Sequence, residues 1–314
     1  MKAMILKEQG GISNFSLENA PVPELLPGEV LVQTKAISIN PADAIVRENK
    51  SVHWIFNGES PMILGWDLSG VVIEVGADVK DFKVGDEVFG VIKHPGHGKA
   101  YAEYVAAPAN HLALKPKNIS HIQAAASTLA ILTVLQPMRM VGVKEGSRIL
   151  ITAAGGGVGH FAVQLAKYYG AYVIALASAS KKEFVMGIGA DEFIDYQSQN
   201  FEDLTEKVDL AIDGVRTDGH IFRVLNVIKS GGTLISLWSG ITSEERERAE
   251  ELGVNAFYNA IQSSGKDMKL VAQLLEEGSV IPHISKIFEF EQIPEAHKEI
   301  ESGQTTGKIV IKLS

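Results

Sequence analysis

The 314-residue sequence contains no cysteine. Disulfides, thiolate metal ligands and a cysteine nucleophile are thereby excluded. It also lacks any run of about 18 apolar residues, so no membrane-spanning helix is expected. A secretory leader is not expected either. Residues 1–11 carry Lys2, Lys7 and Glu8, without the apolar core and cleavage site of a signal peptide. They read as a first strand, and a cytoplasmic location fits. Positive charge is scarce: 29 Lys and Arg stand against 38 Asp and Glu, a net charge of −9. No Lys/Arg run stands out, which argues against a nucleic-acid partner, whose phosphates need clustered cations. The stretch 243–252 mixes both signs in the pattern of a solvated helix face. No internal repeat or low-complexity segment is apparent.

What is present is an apolar fraction of 46% and enough length for two domains with sizeable cores. Up to about residue 120 the chain reads as short strands and turns. Residues 29–36, entered through Pro27-Gly28, and 71–75, between Gly70 and Gly76, are strand candidates, and 84–88 carries a turn inside an apolar segment. Closely spaced turn residues predict a β-rich, barrel-like domain. The pattern changes near 121. Residues 121–140 predict one long helix. Strands at 148–152, 172–176, 192–194, 210–213 and 233–237 then alternate with helices at 158–169, 181–186 and 220–229. Alternation of this kind predicts parallel strands with right-handed crossovers, a doubly wound sheet. One more helix, 267–277, precedes extended pieces ending in Lys308-Ile309-Val310-Ile311, a tail expected to return to the first domain. The predicted class is α/β.

The central motif is Ala153-Ala154-Gly155-Gly156-Gly157-Val158-Gly159. A bare glycine-rich loop is often only a turn. This one follows a strand and opens a helix, the context that a dinucleotide site needs. Missing Cβ atoms let the backbone approach a pyrophosphate, and the helix N-terminus offers N–H groups and positive partial charge. Gly159 permits close helix-on-strand packing. An NAD site places a carboxylate about 20 residues further on, against the ribose 2′-hydroxyl. Here that stretch reads Leu176-Ala177-Ser178-Ala179-Ser180-Lys181-Lys182. Hydroxyls and ammonium groups suit a 2′-phosphate, so NADPH is expected. A helix cap at Ser178 or Ser180, with exposed lysines behind it, is the plainer alternative and is compatible with phosphate binding.

At this point the chain resembles the zinc-free quinone oxidoreductases of the medium-chain dehydrogenase/reductase superfamily. The likeness rests on Asn40-Pro41-Ala42-Asp43, Gly65-Trp66-Asp67-Leu68-Ser69-Gly70, Val84-Gly85-Asp86-Glu87-Val88, Tyr101-Ala102-Glu103-Tyr104-Val105, the glycine loop with Val163-Gln164-Leu165-Ala166-Lys167, Gly189-Ala190-Asp191, and Gly307-Lys308-Ile309-Val310. The resemblance implies a GroES-like catalytic domain (residues 1–120 and 264–314) and an inserted Rossmann domain (121–263). It further implies a homodimer. For NADPH it implies Ser178, Lys181 and Tyr196 at the 2′-phosphate, although Tyr196 equally reads as a surface aromatic. Ala154, Gly156, Gly157, Val158, Gly159 and Leu237 complete the expected cofactor contacts. Zinc-dependent relatives ligate metal through a Cys and a His-Glu pair; Asn40 and Trp66 occupy the matching Cys and His positions, so a tetrahedral site cannot be rebuilt there. His94-Pro95-Gly96-His97 has metal-ligand spacing, but it lies in a Gly/Pro segment without a third ligand nearby and reads better as a mobile loop.

Without a metal to polarise a carbonyl, the substrate must bring its own electrophilicity, as quinones and α,β-unsaturated carbonyls do. The expected site residues are Asn40, as donor to the substrate carbonyl or as nicotinamide support, Asp43 as an orienting group paired with Arg47, Asp67 holding backbone or Arg47, and Thr133 beside the nicotinamide. Asn40 also reads as an Asn-Pro turn, and a helical Thr as back-bonded to the preceding turn. A Tyr that some family members carry is Ile45 here, and Thr128 stands where others have Pro. The segment Val52-His53-Trp54-Ile55-Phe56 reads either as a pocket wall or as core. Two other functions are open: reduction of an enoyl thioester, which calls for a basic patch not evident in the N-terminal region, and a non-catalytic NADPH-binding module, which turnover assays distinguish.

Overall fold

The computed structural model describes residues 1–203, 206–215 and 217–313. The chain forms two compact units, residues 1–132 with 261–314, and residues 133–260.

The first unit begins with β1 (Lys2–Leu6), β2 (Phe15–Asn19), β3 (Glu29–Ile39), α1 (Pro41–Glu48) and β4 (Met62–Ile63). It continues through β5 (Asp67–Val75), β6 (Glu87–Val91), β7 (Tyr104–Pro108), β8 (Leu112–Leu114) and α2 (His121–Ala126). Helix α3 (Leu129–Val141) carries the division between the units.

The second unit contains β9 (Arg148–Thr152), α4 (Gly159–Tyr168), β10 (Tyr172–Ala177), α5 (Lys182–Gly187) and β11 (Glu192–Asp195). Then come β12 (Val208–Asp213), α6 (His220–Asn226), β13 (Ile228–Ser236), α7 (Ser243–Glu251) and β14 (Asn255–Tyr258). The chain re-enters the first unit with α8 (Gly265–Glu276), β15 (Ile284–Glu289), α9 (Ile293–Glu301) and β16 (Lys308–Lys312).

Strand β3 is the spine of the first unit. Nine of its eleven residues are buried, because it is covered on both sides by partners. Its N-terminal half pairs antiparallel with β7 and its C-terminal half with β16, while β5 runs along it with two register shifts. The resulting order is β15-β16-β3-β5-β6-β8, with β7 also on β3. Val30, Val32, Leu68, Val72, Val88, Val105 and Leu112 fill the core beneath it.

The second unit holds six parallel strands in the order β11-β10-β9-β12-β13-β14. Its strands read as near-continuous apolar runs because helices cover both faces of such a sheet. The order reverses between β9 and β12, and a crevice at such a switch point is where ligands bind in open α/β sheets.

Three expectations need correction. The stretch 121–140 is two helices. Ser127 Oγ donates to Gln123 O (2.9 Å) and Thr128 Oγ1 to Ala125 O (2.8 Å), so side-chain hydroxyls take up carbonyls where the helix breaks. The tail is not wholly extended, because α9 intervenes with Ile293, Ala296 and His297 buried. Strand β14 adds a sixth strand beyond the five expected. Among the described residues no helix is long and apolar enough to cross a membrane.

Candidate functional site

The cofactor candidates gather at the carboxyl ends of parallel strands in the second unit. The loop after β9 turns sharply, with Ala153 at φ 50°, and Ala154 N donates to Leu176 O (3.1 Å) at the end of β10. A Cβ on Gly159 would lie 2.2 Å from Ala153 O, a backbone clash, so only glycine lets α4 start this close to the strand. A Cβ on Gly155 would meet the Lys181 stem at 2.7 Å, which places that side chain across the glycine loop. Lys181 is partly buried, and desolvation pulls its ammonium below the usual lysine range. Ser178 Oγ and Ser180 Oγ lie 3.1 Å apart beside it. Tyr196 N donates to Ala177 O (3.3 Å), which brings Tyr196 to the same rim with its ring exposed. Leu237 N donates to Asp213 O (2.9 Å) at the end of β12. A glycine cradle beside hydroxyls and a cation fits the diphosphate and 2′-phosphate of NADPH.

Behind the loop, Thr152 Oγ1 donates to Asp213 Oδ1 (2.6 Å) and accepts from Gly214 N (2.9 Å), while His220 Nε2 lies 3.0 Å from the same carboxylate oxygen. This buried triad ties the ends of β9 and β12 together. Nothing in the residue pattern singled it out, since its members lie up to 68 positions apart.

In the first unit the structure brings together Asn40, Asp43 and Asp67, all essentially buried. Asp67 Oδ1 accepts from Leu129 N (3.0 Å), and its Oδ2 accepts from Asn40 Nδ2 (2.8 Å) and from Ser38 Oγ. Asp43 Oδ2 accepts from Asn40 N (2.7 Å), fixing the first turn of α1. Lys308, on β16, enters the same cluster. Its Nζ donates to Asn40 Oδ1 (2.5 Å) and Ile39 O (3.1 Å) and lies 3.7 Å from Asp67 Oδ2. Tyr101 Oη and His297 Nε2, 3.0 Å apart, form a second buried pair; burial, with the Asp43 and Asp67 charges, raises the Tyr101 hydroxyl well above its usual range. Lys308, Tyr101 and His297 were missed as site residues; the one available signal for Lys308 was its place in the Gly307-Lys308-Ile309-Val310 motif.

The Asn40 amide is engaged at both ends, Oδ1 by Lys308 and Nδ2 by the two carboxylates. Elsewhere the geometry corrects several expectations. Arg47 pairs with neither Asp43 nor Asp67. Its guanidinium is bound by Glu301 and Glu48 and donates to Gly10 O (3.1 Å), which docks α1 on α9. The 94–97 segment is pinned: His94 N donates to Ser263 Oγ (2.8 Å), and His97 Nε2 lies 2.9 Å from Ile63 O. Trp54 is exposed whereas Ile55 and Phe56 are core, so the 52–56 cluster is divided between the two readings. Thr133 is nearly buried on α3. Trp66 donates through Nε1 to Gly96 O (2.7 Å).

Burial, reinforced by the neighbouring Asp67 carboxylate, pushes the Asp43 carboxyl from 3.8 up to about 7, against opposing effects of the Asn40 N–H and Lys308. Burial also lowers Lys308 and drives His297 down to about 3, the latter with help from the Arg47 charge. For Asp43 the folded state holds its proton more tightly than the unfolded state. Its contribution to stability is therefore full below about pH 4 and is lost as pH rises toward 7, by at most about 1.4 kcal/mol per pH unit. Asp43→Asn is expected to remove this slope, so that the variant gains on the wild type between pH 4 and 7 in denaturant unfolding. Parallel stability curves would show that Asp43 does not titrate in that window.

Comparison with known proteins accounts for both halves of this arrangement. A family model described as the alcohol dehydrogenase GroES-like domain matches residues 26–117, and one described as zinc-binding dehydrogenase matches 188–311. The NADPH-dependent alkenal/one oxidoreductase of Arabidopsis thaliana chloroplasts is 36% identical over 99% of this chain and 79% of its own. The quinone oxidoreductase of Coxiella burnetii superposes with a TM-score of 0.93 at 33% identity, covering 100% of this chain and 99% of the other. A mycobacterial protein solved with NADPH covers 100% of both chains at 25% identity and a TM-score of 0.87. A β-rich unit closed by the chain's own tail, a 3-2-1-4-5-6 nucleotide sheet and identity sustained from end to end have one common explanation: the chain belongs to the zinc-free quinone oxidoreductase family of the medium-chain dehydrogenase/reductase superfamily.

Proposed function

We propose that this protein is an NADPH-dependent oxidoreductase that reduces quinones or α,β-unsaturated carbonyl compounds. The observation that carries the reading is the Lys181 side chain lying over Gly155, with Ser178 and Ser180 beside it, after a strand, β10, that ends without a carboxylate of its own, while the Asp195 carboxylate at the end of β11 is taken by the Ala179 N–H. A 2′-phosphate dianion meets hydroxyls and a cation there, whereas an acid would repel it. When bound, NADPH supplies the hydride. The chain's own part is to orient and to desolvate. The α4 N-terminus and the loop of Ala154, Gly156, Gly157, Val158 and Gly159 hold the diphosphate, Leu237 and Tyr196 flank it, and Thr133 lies beside the nicotinamide. Asn40, Asp43 and Asp67 act as a buried frame for α1 rather than as donors to substrate, since their hydrogen bonds are used within the protein.

Amide and indole at Asn40 and Trp66 favour substrates that are electrophilic through conjugation, because no Lewis acid can be held by that pair. The relatives named for alkenal/one and quinone reduction point the same way. The test is NADPH consumption with a panel of quinones, alkenals and alkenones. Turnover with these and none with saturated ketones is expected; tight NADPH binding with no turnover on any member would overturn the enzyme reading.

Lys181→Ala is expected to raise the KM for NADPH about tenfold or more, the scale of one lost charge-assisted hydrogen bond, and to leave the KM for NADH nearly unchanged. Equal effects on both cofactors would remove Lys181 from the phosphate site.

The proposal extends to a homodimer. Among the described residues the outer edge of β14 has no partner strand in the sheet order, and such an edge is a ready template for pairing. Light scattering is expected to give about twice 33.9 kDa; the mass of one chain would contradict it.

A further inference from the structure

The last strand brings one cation into a place where the sequence shows no need of it. Gly307 sits at φ 66°, and a Cβ there would lie 2.3 Å from His283 O. Glycine thus lets the chain pass His283 and enter β16, with Lys308 N donating to His283 O (2.8 Å). In the antiparallel register Ile309 faces Ile39, which sets Lys308 alongside Asn40. The Lys308 side chain is 3% exposed, and its ammonium is turned inward to Asn40 Oδ1, Ile39 O and Asp67. An amide in a buried site has two nearly isosteric orientations. The ammonium accepts one of them only, with oxygen toward Nζ. The amide nitrogen is then directed at Asp67 and Asp43, and through Asp67 Oδ1 at the backbone that begins α3.

We propose that Lys308 is a positioning residue for the reductase site: by fixing the Asn40 amide, it sets the join between β3 and α1 against the Asp67 carboxylate. The proposal rests on the quinone and enone reductase reading for its kinetic consequence, and on geometry alone for its structural one. Loss of the ammonium leaves Asn40 Oδ1 without its donor and Asp67 without its counter-ion, in a site that water does not reach. Lys308 acts through Asn40, so the two residues form one unit and their effects do not multiply.

The experiment is a double-mutant cycle of Lys308→Met and Asn40→Ala in the full-length protein, read by kcat, by NADPH affinity and by hydrogen exchange of the Asn40 side-chain amide. Each single variant is expected to lower kcat by about tenfold with NADPH affinity within about twofold, and the double variant to match the worse single one. Lys308→Gln, whose amide still donates to Asn40 Oδ1, is expected to keep most of the turnover. The Asn40 side-chain protons, slow to exchange in the wild type, are expected to exchange fast in Lys308→Met. Multiplied kcat losses, an unchanged kcat in Lys308→Met, or a Gln variant as impaired as the Met variant would overturn the proposal. Where Lys308→Met does not fold, Lys308→Gln in the Asn40→Ala background decides: a further drop in kcat counts against it. A wild type without turnover on any quinone or enone defeats the functional reading instead, and the exchange measurement still decides the role of Lys308.

Discussion

Two carboxylates buried side by side under one strand form a constraint that the first unit must meet. Asp43 and Asp67 are wholly inaccessible, and removing such groups from water costs several kcal/mol each unless they are neutralised and hydrogen bonded. The molecule does so to different degrees, and Asp43 Oδ1 is left without a hydrogen-bond partner among the described residues. Asp67 collects backbone, hydroxyl, amide and ammonium donors, while Asp43 holds a proton near neutrality and keeps the N–H of Asn40. The two acids are thus balanced against hydrogen-bond donors and one ammonium within a single buried cluster.

That balance joins distant parts of the chain. Strand β3 supplies the Ser38 hydroxyl, the join to α1 the amide, α1 and β5 the acids, and β16 the cation from 268 positions away. The β-rich unit is therefore completed by the tail, whereas the parallel sheet builds its own site from consecutive strand ends. Each unit solves a separate problem. The sheet gathers a glycine loop, hydroxyls and a cation at its strand ends, and the barrel-like unit holds a helix entrance rigid by internal hydrogen bonds.

How much of this was legible in the residues depended on range. Strand β9 is visible to the residue, because a strand covered on both faces reads as an unbroken apolar run ending at Thr152. The glycine loop is visible for a local reason, since its need for missing Cβ atoms lies within seven positions. Helix α9 escaped because His297 counts as polar in a pattern but lies fully buried against Phe15 and Tyr101. The break at Ser127-Thr128 escaped because hydroxyl back-bonding is a choice made by the fold, not by composition. The pairing of Arg47 was misread, and the commitments of Asn40 were not visible, for the same cause. Both residue types advertise their chemistry, but only the tertiary partners, Lys308 and Glu301, decide where it is directed.

The tail's contribution bears on the order in which the protein matures during synthesis. Residues 133–260 have all left the ribosome before Lys308 is made, and the parallel sheet draws every one of its strands from that stretch. The nucleotide-binding half is thus free to fold on the nascent chain, as domains generally do. The other half must wait with two acids and no counter-ion, its spine strand lacking a neighbour, until β16 emerges. A growing chain would acquire cofactor affinity before it acquires a finished reaction chamber.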